Sequence, residues 1–454
     1  MPDILIVILS VIFVLGVAIN IHEFGHFAVA KLLGMRVDAY SFFGLGPRIW
    51  GFKRGHTDYR ISAIPLGAYV KLYGDESNSG LEGEDDKSDP VPESELYELR
   101  PRWQKFLVMI GGPFMNIMLA LAIPFFSAWF TGLPSMPAPI VDIVKQGGAA
   151  EVAGIKAGDR IVAFDGVQNP TWERIEHDAL VSPEKEVPLT VERGGQQQNL
   201  TIRPTKGMRG DNAVGELDFI PAADAEPVVV ANLLPNMPAA QILQQGDRVL
   251  AFNDISIRNV GAAQQLIRDS KGTPFKLTIE RNGARQTVDL NTVENDGAYV
   301  IGVNFARDKI KTKEPATIGQ SASFAVNTNL EIIRLTGKVF GQLFTGQRSV
   351  KDAGLAGPVG IVQIIGQVVR DQGFVGLISI LALISLNLGV FNLLPIPMLD
   401  GGQIMVLAIE GILGLFGLTL SMAIKEKIQL VGLAVILVLM VTTLFFDISR
   451  LFGN

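Results

Sequence analysis

The run from Ile4 to Ile21, ILIVILSVIFVLGVAINI, holds no charged residue and passes directly into His-Glu-Phe-Gly-His at residues 22 to 26. An uncharged apolar stretch of about 18 residues or more is long enough to cross a bilayer as a helix. In lipid a lone segment satisfies its backbone hydrogen bonds only as a helix. Whatever else the chain builds must therefore be arranged around a membrane helix with ionisable groups at one end. Such groups are expensive at membrane depth and usually functional. The MPD that precedes the run supplies neither a positive n-region nor a small-residue cleavage site, so the run is read as a retained span.

Three further stretches match it: Phe106 to Phe130, Phe374 to Leu394 and Ile428 to Phe446. The composition agrees, with 48% hydrophobic and only 19% charged residues in 454. A net charge of −6 without a basic tract leaves nucleic acid out as a partner. No cysteine is present, which excludes disulfides, iron–sulfur clusters and thiolate zinc sites. Two apolar stretches are expected not to span. Ala353 to Val369, interrupted by Gly and Pro, reads as re-entrant or interfacial, and Ile404 to Leu420, which carries Glu410, as a surface or half-buried helix. Basic residues set the direction. Lys31, Arg36, Arg48, Lys53, Arg54, Arg100, Arg102 and Lys105 fall between the first two spans, against Lys145 alone between Thr131 and Ala150. The loop of about 34–105 is thus expected in the cytoplasm and the segment after 130 outside. The acidic run at 82–89 reads as a solvated tip of that loop.

Between the second and third spans the sequence repeats. GDRIVAFDG at 158–166 matches GDRVLAFND at 246–254, and LTVERGG at 189–195 matches LTIERNG at 277–283. Both pairs share one offset, which indicates a duplicated domain. GGAAEVAGIKAGDRIVAFDG, residues 147–166, resembles the PDZ signature, a family that accepts peptides by strand addition. Each copy is expected to be such a peptide module or a spacer. The second lacks the AG-x-x-AG glycines of the first.

His22 and His26, four apart on a helix, project from one face with Glu23 beside them. That spacing lets two neutral imidazoles hold one zinc while the glutamate takes a proton from water. Two of the chain's four histidines fall in this pentad, which disfavours a structural role. Zinc of this class needs a third protein ligand, and the extended HExxHxxGxxH pattern fails because Val29 and Leu32 stand where it needs Gly and His. Asp38, His56 and Asp58 are candidates. The best is Asp400, in NLGVFNLLPIPMLDGGQ at 387–403, where prolines break the helix and free an acid and carbonyls to face a polar cavity. The first and third spans run in the same direction, and at about 1.5 Å per residue His22 and Asp400 reach similar depth near the cytoplasmic side.

HEFGH in a first span, the N-x-x-P-x-x-x-x-D-G pattern of Asn392 to Gly401 and tandem PDZ-like domains between spans two and three together resemble the bacterial site-two-type intramembrane zinc metalloproteases over essentially the whole chain. The resemblance implies an α-helical polytopic membrane protein of four transmembrane helices. Two PDZ-like α+β domains would be inserted outside, with a membrane-associated β-loop on the cytoplasmic side. Its parts would be helices one and two with the β-loop (1–130), PDZ-like domains at 135–220 and 221–310, an amphipathic helix at 320–345 and the last two helices at 370–454. It implies one zinc per chain held by His22, His26 and Asp400, with Glu23 as general base. Asn392 and Asn387, with Pro395 and Pro397, would hold the substrate. The stretch 61–75 would be the β-loop, with Gly67 and Tyr69 as contacts at its edge. GGPFMN, residues 111–116, is similar to a further family motif and reads equally as a small-residue packing site. The implied substrates are single-pass membrane proteins, anti-sigma factors already cut on the periplasmic side and signal-peptide remnants, processed in the bacterial inner membrane with the PDZ domains in the periplasm. The helix at 320–345 would gate entry or pack on the PDZ pair. A PDZ-bearing membrane scaffold with a vestigial metal site is the alternative, but neither the HExxH nor the aspartate is broken. A zinc transporter would want acids or histidines in the second and fourth spans, which have none.

Overall fold

The computed structural model describes residues 2–64, 67–74, 91–133, 139–209, 212–221, 228–253, 255–257, 260–295, 298–307, 315–347 and 357–451. The acidic run at 82–89, Pro65, Leu66 and Asp75 of the expected β-loop and residues 353–356 lie outside them. In chain order the helices are α1 (Pro2–Leu32), α2 (Arg102–Thr131), α3 (Ala149–Val152), α4 (Trp172–Leu180), α5 (Val260–Asp269), α6 (Ile318–Phe344), α7 (Pro358–Asn392), α8 (Asp400–Leu415) and α9 (Met422–Leu451). Of these α1, α2, α7 and α9 are long and apolar enough to cross a membrane. The stretch expected to be re-entrant is helical from Pro358 and runs into the third span within α7, the two parts meeting at Gly373, whose φ of 61° breaks the helix. The 16 residues of α8 extend about 24 Å, short of a bilayer core of roughly 30 Å.

The chain divides into two compact units. One comprises Met1–Thr131, Pro315–Ile333 and Leu355–Asn454, and the other Gly132–Glu314 and Arg334–Gly354, so α6 is shared between them.

In the first unit Val11, Val14 and Ala18 of α1 pack with Ile365, Leu377, Ile380 and Leu381 of α7. Lipid is as apolar as these side chains, so close packing rather than water exclusion must hold such helices together. Glycine supplies that closeness between α1 and α2. A Cβ on Gly25 would lie 2.5 Å from the Gly111 carbonyl carbon, and one on Gly111 would lie 2.7 Å from the Gly25 oxygen. The α9 helix leaves most of its apolar side chains exposed but is pinned at one end. Asp447 there is buried, its Oδ1 accepting from the Gly357 N–H (3.1 Å) and its Oδ2 from the Gly360 N–H (2.9 Å). The N-cap of α7 is Gly357, which has no side chain to cap with, so the carboxylate from α9 meets the free amides and the helix dipole instead.

Between α1 and α2 lies a sheet of β1 (Val37–Phe43), β2 (Leu45–Arg54), β3 (Thr57–Ile64) and β4 (Tyr69–Leu72) in the order β2-β3-β1-β4. The stretch 61–75 expected as a β-loop thus contributes the end of β3 and all of β4 to this sheet. β1 separates β3, its parallel neighbour, from β4, its antiparallel one, with Tyr40 opposite both Tyr59 and Val70. β4 is left as an edge, and its Val70 and Leu72 pack with Val37 and Tyr40 of β1, Ala30 of α1 and Val108 and Met109 of α2.

The second unit holds the duplication. Strands 160–164 and 187–193 pair antiparallel with Ile161 opposite Val191 and Phe164 opposite Leu189, and strands 248–252 and 275–281 pair with Val249 opposite Ile279 and Phe252 opposite Leu277. The register shifts at the same place in each, after Ile161 and after Val249. The two repeated motifs recur because they are the halves of one interaction. Asp159 from the first motif takes Arg193 from the second through two hydrogen bonds of 2.7 Å, and Asp247 takes Arg281 at 2.8 and 2.6 Å. The arginines also reach the carbonyls of Gly154 and Ile242. Where the first copy forms α3, the second, lacking the glycines, forms a 3₁₀ turn at Pro238–Gln241.

Burial pushes the Asp159 pKa up, but the bidentate Arg193 and the Lys156 N–H outweigh it and hold the carboxyl below its usual range; Asp247 behaves likewise with Arg281 and the Gln244 N–H. A carboxylate whose folded pKa is depressed stabilises the fold fully above its unfolded value, about 3.9, and loses that contribution as pH falls through the folded value. The unit is thus expected to lose stability below about pH 4. Asp159→Asn leaves a charged guanidinium without its buried partner, and is expected to bring an unfolding transition forward by roughly 10 °C at pH 7 and to flatten its acid dependence. Circular dichroism of the purified chain against pH checks both.

In the same unit the latter part of α6 packs on the first copy. Asp178 of α4, with no exposed side-chain surface, accepts from Arg174 (2.6 Å), Arg334 (2.8 Å) and Lys338 (3.2 Å), and Lys338 also reaches Asp165 at 2.5 Å.

Candidate metal centre

His22 and His26 leave α1 on the face that meets α2, where Gly112 makes room for them. A Cβ at 112 would stand 2.8 Å from both His22 Cε1 and His26 Cε1. Asp400, the first residue of α8, is brought to the same point from the far end of the chain. Among the described residues these three form a group whose candidate ligand atoms all lie within 4.8 Å of one another. The Nε2 atoms of the two histidines are 3.2 Å apart, His22 Nε2 is 3.1 Å from Asp400 Oδ2, and His26 Nε2 is 3.5 Å from Asp400 Oδ1.

These distances suit a tetrahedral ion. Zinc–nitrogen and zinc–oxygen bonds of about 2.0–2.1 Å place tetrahedral ligands about 3.4 Å from each other. The hydrogen bonding agrees. Asp400 Oδ2 is buried and accepts no hydrogen bond from the described residues, although His22 Nε2 is near. His26 Nδ1 lies 2.7 Å from the Val108 carbonyl, which can only accept, so the ring proton sits on Nδ1 and Nε2 presents a lone pair. A carboxylate and two imidazole lone pairs converging on one buried point repel one another unless a cation lies between them. The residues present therefore fit a zinc ion.

Support comes from α2 and α7. Asn116, fully buried on α2, sits 3.3 Å from His22 Nδ1 and takes the Ser385 hydroxyl on its backbone oxygen (3.0 Å) and its amide (3.3 Å). Asn116 Nδ2 faces His22 Nδ1 and its Oδ1 accepts from Ser385 Oγ; zinc on His22 Nε2 would put the ring proton on Nδ1 and call for the amide turned by 180°, with its oxygen to the ring, and amide orientations are assigned from such networks. GGPFMN packs through Gly111, as one of its two sequence readings has it, and its Gly112 and Asn116 also stand against the histidines, a contact the sequence did not suggest. Val108 and Ser385 escaped the sequence reading, because nothing in an apolar helix marks which carbonyl or hydroxyl will face a histidine across a helix pair.

The cluster opens on a cavity of about 300 Å³ lined by Ile19, His22, Glu23, His26, Val70, Leu72, Val108, Met109, Leu388, Asn392, Met398, Leu399, Asp400 and Gln403. Glu23 is on its wall but outside the ligand group. Asn392 places Nδ2 3.3 Å from His22 Nε2. Asn387, Pro395 and Pro397 do not line the cavity, nor do Gly67 and Tyr69, though Val70 and Leu72 of the same β4 strand do. The other candidate ligands are elsewhere. His56 is exposed, Asp38 faces Lys71 (3.8 Å), and Asp58 faces Arg48 (3.5 Å) and Arg60 (3.4 Å).

Known proteins share this plan. Residues 10–439 match the family model "Peptidase family M50". The regulator of sigma-E protease RseP of Escherichia coli K12 is 30% identical over 97% of this chain and 98% of its own length, and the regulator of sigma E protease of Haemophilus influenzae 29% over the same shares. Protease RseP of Yersinia pestis is 31% identical over 99% of this chain and all of its own. A solved PDZ domain of a Listeria monocytogenes SdrC-like protein covers 18% of this chain and 92% of its own, at 17% identity and a TM-score of 0.17, too low to bear on the fold of the repeats. The family match across both halves of the histidine–aspartate cluster makes this chain a zinc metalloprotease that belongs to peptidase family M50.

Proposed function

We propose that the chain cuts peptide bonds within the membrane-spanning segments of single-pass proteins. The observation that carries this reading is the position of the His22–His26–Asp400 cluster, enclosed by α1, α2 and α7, each apolar and long enough to span a bilayer. A metal site among membrane-spanning helices serves a substrate that enters the same layer. His22, His26 and Asp400 hold the zinc. When bound, it supplies a Lewis acid for the scissile carbonyl and acidifies a water to a pKa of about 7. Glu23, on the cavity wall, takes the proton from the attacking water and delivers it to the leaving amine. The Asn392 amide is placed to hold the substrate backbone beside His22, with Asn387, Pro395 and Pro397 shaping the chain around it. A helix conceals its carbonyls, so the substrate must unwind locally. The edge of β4, with Gly67 and Tyr69 at its start, offers the unwound segment strand pairing.

The relatives' names support a role in sigma-E regulation, in which the substrate is an anti-sigma factor already shortened outside the membrane. Signal-peptide remnants are a second substrate class of the same kind. The order of strands and helices in the two repeats suits PDZ-like modules, and the basic residues between the first two spans favour the periplasmic side of an inner membrane for them, with the cluster toward the cytoplasmic side.

The test is cleavage of a tagged single-pass substrate in detergent by the wild type and Asp400→Asn, with zinc per chain measured on the same samples. Cleavage by the wild type, with both zinc and cleavage reduced at least tenfold in Asp400→Asn, is the expected result. Full zinc and full cleavage in Asp400→Asn would remove the aspartate from the site, and a zinc-loaded wild type that cuts nothing would favour the scaffold.

A further inference from the structure

Met398 occupies a conformation suited to glycine. Its φ is 80°, in the left-handed region where a Cβ crowds the backbone. Such a conformation persists only where the surroundings dictate it, and it clusters at functional sites. Here the residue before it is held from two sides. A Cβ on Gly402 of α8 would stand 2.7 Å from Pro397 Cα, and one on Gly432 of α9 2.6 Å from the Pro397 carbonyl carbon. The Leu399 N–H is tied back to Ile396 O at 3.1 Å, and the Ile396 N–H to Leu394 O at 2.7 Å. The loop cannot relax at Met398 without displacing Asp400 two residues later. Glycine would meet the backbone demand without strain, yet the position carries a long side chain, 48% exposed, on the wall of the cavity that holds Glu23 and the histidine–aspartate cluster.

We infer that Met398 is a specificity-determining residue, the side chain against which the substrate residue beside the scissile bond is gauged. The inference rests on the protease reading above. Leu388 and Leu399 line the same cavity, and a substrate residue drawn from a membrane span is apolar. A thioether chain with three rotatable bonds accommodates aliphatic and aromatic partners alike, within the limit its bulk sets. The constrained backbone holds the base of that side chain still, so its length defines how much room remains.

The chain contains no cysteine, so Met398→Cys introduces a unique thiol. It is combined with Glu23→Gln and presented with single-pass substrates carrying one cysteine walked through the apolar span. Disulfide formation is expected to peak at one or two positions. A control thiol from Leu415→Cys, at the exposed end of α8, should give no such peak. A flat profile at Met398→Cys would overturn the inference. Met398→Gly and Met398→Ala both enlarge the cavity, but only the first relieves the backbone. Both are expected to shift the ratio of cleavage with tryptophan against leucine at the peak position toward tryptophan by about tenfold, with the glycine variant melting no lower than the alanine one. An unchanged ratio in both would also overturn it. If the wild type cuts none of these substrates, the protease reading fails and the cross-link profile alone decides on Met398, a sharp peak upholding the contact and a flat one removing it.

Discussion

Glu23→Gln is expected to slow cleavage by about a thousandfold or more while leaving zinc per chain at the wild-type level. Glutamine has the shape of glutamate and keeps the packing of α1 on β4 and α2, but its amide cannot take up a proton. Glu23 lies on the cavity wall without belonging to the ligand group, so removing its charge leaves both imidazoles and Asp400 in place. General acid–base groups contribute about 10²–10⁴ in rate, and loss of the base should appear in turnover. Cleavage of a tagged substrate and elemental analysis of the same preparation separate the roles. If zinc falls together with activity, Glu23 is a ligand or holds one; if neither falls, it is not the base.

The second large effect is expected from a residue with no chemistry. Gly112→Val is predicted to reduce zinc retention at least tenfold and to abolish cleavage, although it lies on another helix from the histidines. Even its first carbon would stand 2.8 Å from each imidazole Cε1, and α2 cannot retreat without breaking the Gly25–Gly111 contact or the His26–Val108 hydrogen bond. Overpacking of this kind costs about 1–3 kcal/mol where neighbours can yield, and here the neighbours are the proposed ligands. Gly411→Ala serves as the control, since a Cβ there meets nothing within 4 Å and should change neither quantity. Normal zinc content in Gly112→Val would mean that the histidine face tolerates a shift of α2, and the close contact would lose its assigned role.

What the sequence revealed and what it hid follow from the range of the interactions. The spacing of His22 and His26, the uncharged runs and the twin motifs around Asp159 and Arg193 are local patterns and could be read directly. The pairing of those motifs was not visible until the strands were brought into register, when two unrelated-looking words became one ion pair. Parallel pairing of β1 with β3 leaves no hairpin signature, so 61–75 read as a single loop. The continuation of α7 through Gly373 was hidden because Gly and Pro mark a break but not whether the helix resumes. The Asp447 cap is supplied by another helix, and the left-handed Met398 follows a proline packed against glycines on α8 and α9. Neither has a signal in the residues beside it.

The cluster is assembled from the two ends of the chain, and Asn392 lies 370 residues beyond the histidine it faces. A ribosome adding about 5–20 residues per second needs roughly 20–75 seconds to travel that far. Through all that time the growing chain carries both imidazoles and Glu23 but not the aspartate that joins them. Every copy therefore passes through a stage in which the two histidines stand without the carboxylate that lies 3.1 Å from His22 in the finished fold.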